Sequence, residues 1–238
     1  GNEKEQDTAW MKYVEACTIE SKATTEPADI KIEVARGGEY KIRLEDGTTV
    51  WLNSESSLIY PEKFTGDKRA VRLSGEGYFE VARDEKKPFI VSVTDMEIKV
   101  LGTKFNVTAY QDEKMTTTTL ISGAVEVVTP HRSVQLQPGK QAMVQEGGDD
   151  ITEVDVELAT SWTAGIFKFD KMALTDICTR LSRWYDIDFV FEGETGKEKF
   201  TGGTWKYVPL KDFLSKIERV TNVLFLFENN TVKVVPKK

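Results

Sequence analysis

The hydrophobic period of this 238-residue chain changes once, near Leu158, and that change limits the possible folds more than any other feature. Before it, from about Ile30 to Val156, apolar residues recur at every second position. Phe89, Val91 and Val93 form one such run; Met96, Ile98 and Val100 another; Phe105, Val107 and Ala109 a third; Val125 and Val127, then Ala142 and Val144, continue it. Successive side chains of a strand point to opposite faces, so this alternation predicts half-buried strands. Asp46-Gly47 lies between Tyr40–Leu44 and Thr48–Leu52, a hairpin signature because both central residues tolerate positive φ. Gly75-Glu76-Gly77 predicts a tight turn, and Gly102, Gly123 and Pro138-Gly139 punctuate the rest. About ten short strands with no helix between them predict an all-β sandwich, barrel or solenoid-like stack.

After Leu158 the period becomes helical. Leu174, Ile177, Cys178, Leu181, Trp184 and Tyr185 form one apolar stripe, and Leu210, Phe213, Leu214 and Ile217 form a second, led by Pro209. Strand-like runs flank each helix. The two units repeat at an offset of 36 residues: Phe169 matches Trp205, Leu174 matches Leu210, Ile177 matches Phe213, and Phe189 and Phe191 match Phe225 and Phe227. Two βαβ units in one small α/β domain are expected, closed by a final strand from Thr231 to Val235 after the Asn229-Asn230 turn. The fold class is therefore mixed: residues 1–30 a membrane-proximal segment or linker, 31–157 an all-β domain, and 158–238 the βαβ-repeat domain, with the two domains folding separately. In the first segment, Trp10, Tyr13, Val14 and Cys17 fall at helical spacing, and Ser21 to Ala28 reads as a linker.

Composition narrows the function. The net charge is −7, and no basic cluster rises above that background, which argues against nucleic-acid binding. No apolar run approaches the ~20 residues that span a bilayer. Gly1 is consistent with upstream sequence having been removed, so a membrane segment there stays open. Cys17 and Cys178 are expected as free thiols, since nothing in their spacing brings them together. The one histidine, His131, sits in a polar turn and reads as a solvated residue. No catalytic constellation, metal-ligand spacing or cofactor loop is found, so neither enzymatic activity nor a cofactor is expected. Glu76 and Glu80 share a strand face, which reads as a solvated face rather than a glycosidase pair. Core packing is the default for Trp51, Tyr60, Tyr78, Trp162, Trp184 and Trp205, and Thr116 to Thr119 suit a strand.

Five ordered blocks carry a family resemblance. LEDGTTVWLNSESSLIYP (44–61), RAVRLSGEGYFEVARDEKKPFIV (69–91), VLGTKFNVTAY (100–110), LISGAVEV and LQPGKQA resemble the signature of the FecR domain. SWTAGIFKFDKMALTDICTRLSRWYDIDFVF (161–191) resembles the small C-terminal domain of FecR-like proteins of Bacteroidota, itself similar to the short N-terminal domains of secretins and TonB-dependent transporters. The resemblance covers roughly residues 34 to 238.

That resemblance implies an anti-sigma regulator with a cytoplasmic segment, one membrane helix and a periplasmic sensor. The sensor would read the signalling domain of an outer-membrane TonB-dependent transporter and control an extracytoplasmic-function sigma factor. The first two parts are missing here, so the sigma factor would be bound elsewhere in the protein. A carbohydrate-binding or carbohydrate-cleaving β domain is the alternative, and a structural envelope scaffold a third. The partner is expected on the C-terminal domain at Thr231, Val232, Lys233, Val234 and Val235, read as an edge strand open to strand addition.

Overall fold

The computed structural model describes residues 17–21, 29–94, 96–145 and 148–237. The chain divides into two compact units, Gly1–Thr160 and Ser161–Lys238. No helix among the described residues is long and apolar enough to cross a membrane.

The first unit is all β. Its strands are β1 (Cys17–Ser21), β2 (Asp29–Val34), β3 (Tyr40–Arg43), β4 (Thr49–Leu52), β5 (Ser56–Pro61), β6 (Arg69–Glu80) and β7 (Phe89–Val93). They continue with β8 (Met96–Val100), β9 (Lys104–Ala109), β10 (Met115–Ser122), β11 (Val125–Val128), β12 (Ser133–Leu136), β13 (Lys140–Gln145) and β14 (Gly148–Glu153). A short helix, α1 (Val156–Thr160), ends the unit, its first amides of Glu157 and Leu158 donating to the Asp155 carboxylate.

Strand β6 organises this unit. Its first half, Arg69 to Arg72, runs parallel to β7, and Arg72 to Ser74 pair antiparallel with β5. Its second half, Gly75 to Glu80, pairs with β4 and β9. One continuous strand thus belongs to two sheets, which both face one core. Ile32, Leu58, Phe89 and Ile98 from the first sheet, and Leu52, Phe79, Phe105 and Leu120 from the second, are fully buried in that core. Phe79 stacks on Phe105 with centroids 5.0 Å apart.

Two local expectations are corrected here. Gly75-Glu76-Gly77 is not a turn but the middle of β6. Gly75 has φ +92°, and this break in the extended backbone falls where β6 leaves one sheet for the other. A glycine inside a strand marks such a bend as readily as a turn. Cys17 to Ser21, placed in the expected helix-and-linker segment, form strand β1 and pair antiparallel with Ile30–Val34 of β2. Trp10, Tyr13 and Val14 lie outside the described residues. The Asp46-Gly47 hairpin is as expected: Tyr40 pairs with Leu52, Arg43 with Thr49, and Gly47 has φ +87°.

The second unit contains a 3₁₀ turn (Ser161–Ala164), β15 (Ile166–Ala173), α2 (Leu174–Tyr185), β16 (Asp188–Phe191), β17 (Lys199–Trp205), α3 (Leu210–Val220), β18 (Val223–Glu228) and β19 (Thr231–Pro236). Each repeat is β-α-β in chain order, but neither repeat pairs its own two strands. β15 pairs antiparallel with β17, while β16 pairs parallel and β18 antiparallel with β19. Both helices bury the stripes read from the sequence: Leu174, Ile177, Cys178 and Leu181 on α2, and Phe213, Leu214 and Ile217 on α3. Phe213 of α3 stacks on Phe169 of β15 with centroids 6.0 Å apart. Pro209 is the N-cap of α3, and its carbonyl accepts from Asp212 and Phe213.

Candidate functional site

In the first unit the first three motif blocks, residues 44–61, 69–91 and 100–110, meet in internal contacts. Asp46, in the β3–β4 turn, accepts hydrogen bonds from the Thr48 amide (3.0 Å) and hydroxyl (2.7 Å). Its Oδ2 also faces Nη1 of Arg69 at 2.7 Å, and Arg69 is 2% exposed. The same guanidinium donates to the carbonyls of Ala82 and Lys87, both at 2.8 Å. One buried cation therefore ties the hairpin turn, the start of β6 and the loop before β7 together. A buried charge persists only when paired and hydrogen-bonded, and this network supplies both conditions.

A second network sits on β6 beyond the bend. Glu76 Oε2 accepts from Asn53 Nδ2 at 2.8 Å, and Oε1 accepts from Asn106 Nδ2 at 3.0 Å and Thr108 Oγ1 at 3.1 Å. The Glu76 amide donates to Ser56 Oγ. Glu76 and Glu80 do share a face, but it is not simply solvated: Glu76 is bound by three side chains and Glu80 pairs with Lys104 at 2.8 Å. Nearby, Trp51 has the Lys41 ammonium 4.1 Å from its ring centroid and packs edge-to-face with Tyr78, the ring centroids 5.3 Å apart. A ring covered in this way is a poor platform for stacking a sugar.

A half-open groove of about 630 Å³ lies where β8 passes to β9 and β10 to β11. Val100, Leu101, Ala124 and Val125 line it, with Arg83 and Glu126 on its walls. Arg83 is paired with Glu85 at 2.5 Å. His131 is exposed in its turn, its amide donating to Thr129 Oγ1. No group of three His, Cys, Asp or Glu side chains able to hold a metal occurs among the described residues.

The second unit also presents apolar surface. Val190 is 50% exposed, Leu226 47% and Phe227 44%. Trp205, read from the sequence as a core residue, is 61% exposed: it ends β17 on the face opposite buried Thr204 and Lys206. Trp162 and Trp184 of this unit are buried, and Trp184 donates its indole N–H to the Lys206 carbonyl at 2.7 Å. Cys178 is a free, buried thiol.

The expected partner strand needs correction. Thr231, Val232, Lys233, Val234 and Val235 are not at an edge: β19 is the central strand, with β16 on one side and β18 on the other. Its backbone donors and acceptors are engaged on both sides, so no further strand can add there. The chain's last strand inserted between two earlier ones, a non-local pairing that the short Asn229-Asn230 turn does not reveal. Among the described residues, the edges of this sheet are β16 and β18.

The β18 edge can be read atom by atom. The Lys237 amide donates to the Asn222 carbonyl at 3.0 Å, which fixes the alternation of the antiparallel ladder. Backbone groups of Leu224, Leu226 and Glu228 thus face β19, and those of Val223, Phe225 and Phe227 face outward. The Phe225 amide is taken by the Glu218 side chain of α3, whose Oε1 accepts at 2.7 Å.

Comparison with known proteins identifies this architecture. Residues 30–126 match the family model described as FecR protein, and residues 166–234 match the model described as FecR, C-terminal. A crystal structure at 1.65 Å of a candidate anti-sigma factor from Parabacteroides distasonis ATCC 8503 superposes with a TM-score of 0.82 at 30% identity, covering 87% of this chain and 99% of that one. The chain belongs to the FecR family of anti-sigma factors. A second crystal structure from that organism, at 2.50 Å, gives this FecR chain the same TM-score and identity over 88% of its length and 100% of the relative's. No curated protein matches. The FecR family is regulatory rather than catalytic, and its two matched regions fall on the two units described above.

Proposed function

We propose that this FecR chain is the periplasmic sensor region of a single-pass anti-sigma regulator of the inner membrane. It receives a signal from an outer-membrane TonB-dependent transporter and relays it to an extracytoplasmic-function sigma factor, which a cytoplasmic segment of the regulator holds. The division of labour between the units supports this reading. In the first unit, Asp46, Asn53, Arg69, Glu76 and Asn106 serve internal contacts, so the motif blocks build a scaffold rather than a reactive site. In the second unit, exposed apolar side chains and open strand edges suit protein–protein recognition. The observation that carries the proposal is the six-residue apolar edge strand β18, a surface made for a partner's backbone rather than for a small ligand.

Isothermal titration of the intact chain against purified signalling domains from a panel of TonB-dependent transporters tests the proposal. At least one domain is expected to bind saturably with one-to-one stoichiometry. Absence of binding by every domain, with hydrolysis or binding of a glycan instead, would favour the carbohydrate reading.

A further inference from the structure

Edge strands are hazards, and proteins defend them with short length, charge, proline or irregularity. The described edges of this chain follow that rule with one exception. β3, β12 and β16 are only four residues long. β14 carries Asp149, Asp150 and Glu153, β17 carries Gly202-Gly203, and β15 shifts register between Phe169 and Met172. β18 has six residues, Val-Leu-Phe-Leu-Phe-Glu, with no proline, no register shift and one charge at its end.

Among the described residues its guard is Glu218. This carboxylate lies in the last turn of α3, where a negative charge opposes the helix dipole. The Lys237 ammonium, donating to the Glu218 and Thr221 carbonyls, already satisfies the end of that helix. The Glu218 side chain instead reaches the middle outward-facing amide of the edge, that of Phe225. A carboxylate there does what a partner strand's carbonyl would do.

We propose that the β18 edge is a docking site for an extended strand of the signalling partner, and that Glu218 is a gate the strand must displace. The proposal rests on the reading of this chain as a sensor and adds the place and the regulation. The incoming strand pairs with the backbones of Val223, Phe225 and Phe227, while its alternate side chains meet Leu224 and Leu226 on the exposed face. Gating lets the edge remain closed to casual pairing yet open to a strand that offers a complete ladder.

Two variants of the full chain test this against the same panel of purified transporter signalling domains. Glu218→Ala removes the competing acceptor and is expected to tighten binding by roughly two- to tenfold, the range of one net hydrogen bond. A gain of affinity cannot arise from misfolding. Phe227→Pro removes an outward amide that β19 does not use, at a side chain that is 44% exposed, and is expected to weaken binding by about tenfold or more with an unchanged circular dichroism spectrum. Equal affinity in wild type and both variants would overturn the edge and leave the sensor reading standing. No binding by any domain to wild type or Glu218→Ala would overturn both. Dimerisation of Glu218→Ala in sedimentation, without tighter partner binding, would identify a second copy as the occupant and overturn the proposal.

Discussion

Ser56 Oγ lies 2.3 Å from the position a Cβ on Gly75 would occupy, and Ser56 Cα lies 2.7 Å from it. The bend of β6 is therefore closed against β5, at a residue whose φ of +92° already disfavours any side chain. Gly75→Ala should cost about 2–5 kcal/mol, combining left-handed strain with overpacking. Gly139 is the control, since its φ is +83° but nothing lies within 4 Å of its would-be Cβ. Gly139→Ala should cost only the strain, about 1 kcal/mol. Urea unfolding of both variants separates the two contributions; equal losses would mean that the Ser56 contact does not matter.

Arg69 and Asp46 make the next prediction. At 2% side-chain exposure Arg69 has no solvent to turn to when its carboxylate is removed. Asp46→Asn keeps the shape and the hydrogen bond to Thr48 but leaves the guanidinium charge uncompensated, a loss of about 3–5 kcal/mol. The midpoint of urea unfolding should fall accordingly, with little dependence on salt because the pair is buried. A midpoint unchanged from wild type would show that the pair does not hold the turn to β6.

Cys178 ties stability to pH. Burial pushes its thiol far above the ordinary cysteine range, because the thiolate would lose its hydration. In the unfolded chain the same thiol releases its proton near pH ~8.5. Above that pH the unfolded state binds fewer protons than the folded one, so stability falls as pH rises. In a Cys17→Ser background, a thiol reagent at pH 8 should leave the native protein unmodified and label it fully in urea. The loss of stability between pH 8 and pH 10 should be smaller in Cys178→Ala. Rapid labelling of the native protein would contradict the buried thiol.

Local pattern carried much of this architecture. Alternation placed Phe105, Val107 and Ala109 on one strand, and the Asp46-Gly47 turn located its hairpin, because both depend on residues adjacent in the chain. The helix stripes of α2 and α3 were equally legible, since each face is buried as a unit. Non-local pairing was not. The passage of β6 between two sheets depends on β4, β5, β7 and β9 together, so Gly75 resembled a turn. The insertion of β19 between β16 and β18 depends on a strand some forty residues earlier, so Thr231–Val235 resembled an edge. Trp205 resembled a core residue because the aromatics are interleaved with apolar positions, yet it faces outward while its repeat partner Phe169 is buried. Glu218 gave no signal at all: one glutamate among many on a helix shows its role only once the Phe225 amide is beside it.

The central claim is that the second unit recognises the transporter's signalling domain through β18. Amide hydrogen exchange of the intact chain, free and saturated with a binding signalling domain, reads it most directly. Exchange is expected to slow most at Val223 and Phe227, less at Phe225, whose amide Glu218 already holds, and little at Leu224 and Leu226, which β19 protects. Protection confined to residues of the first unit, with the β18 amides exchanging as in the free chain, would contradict it.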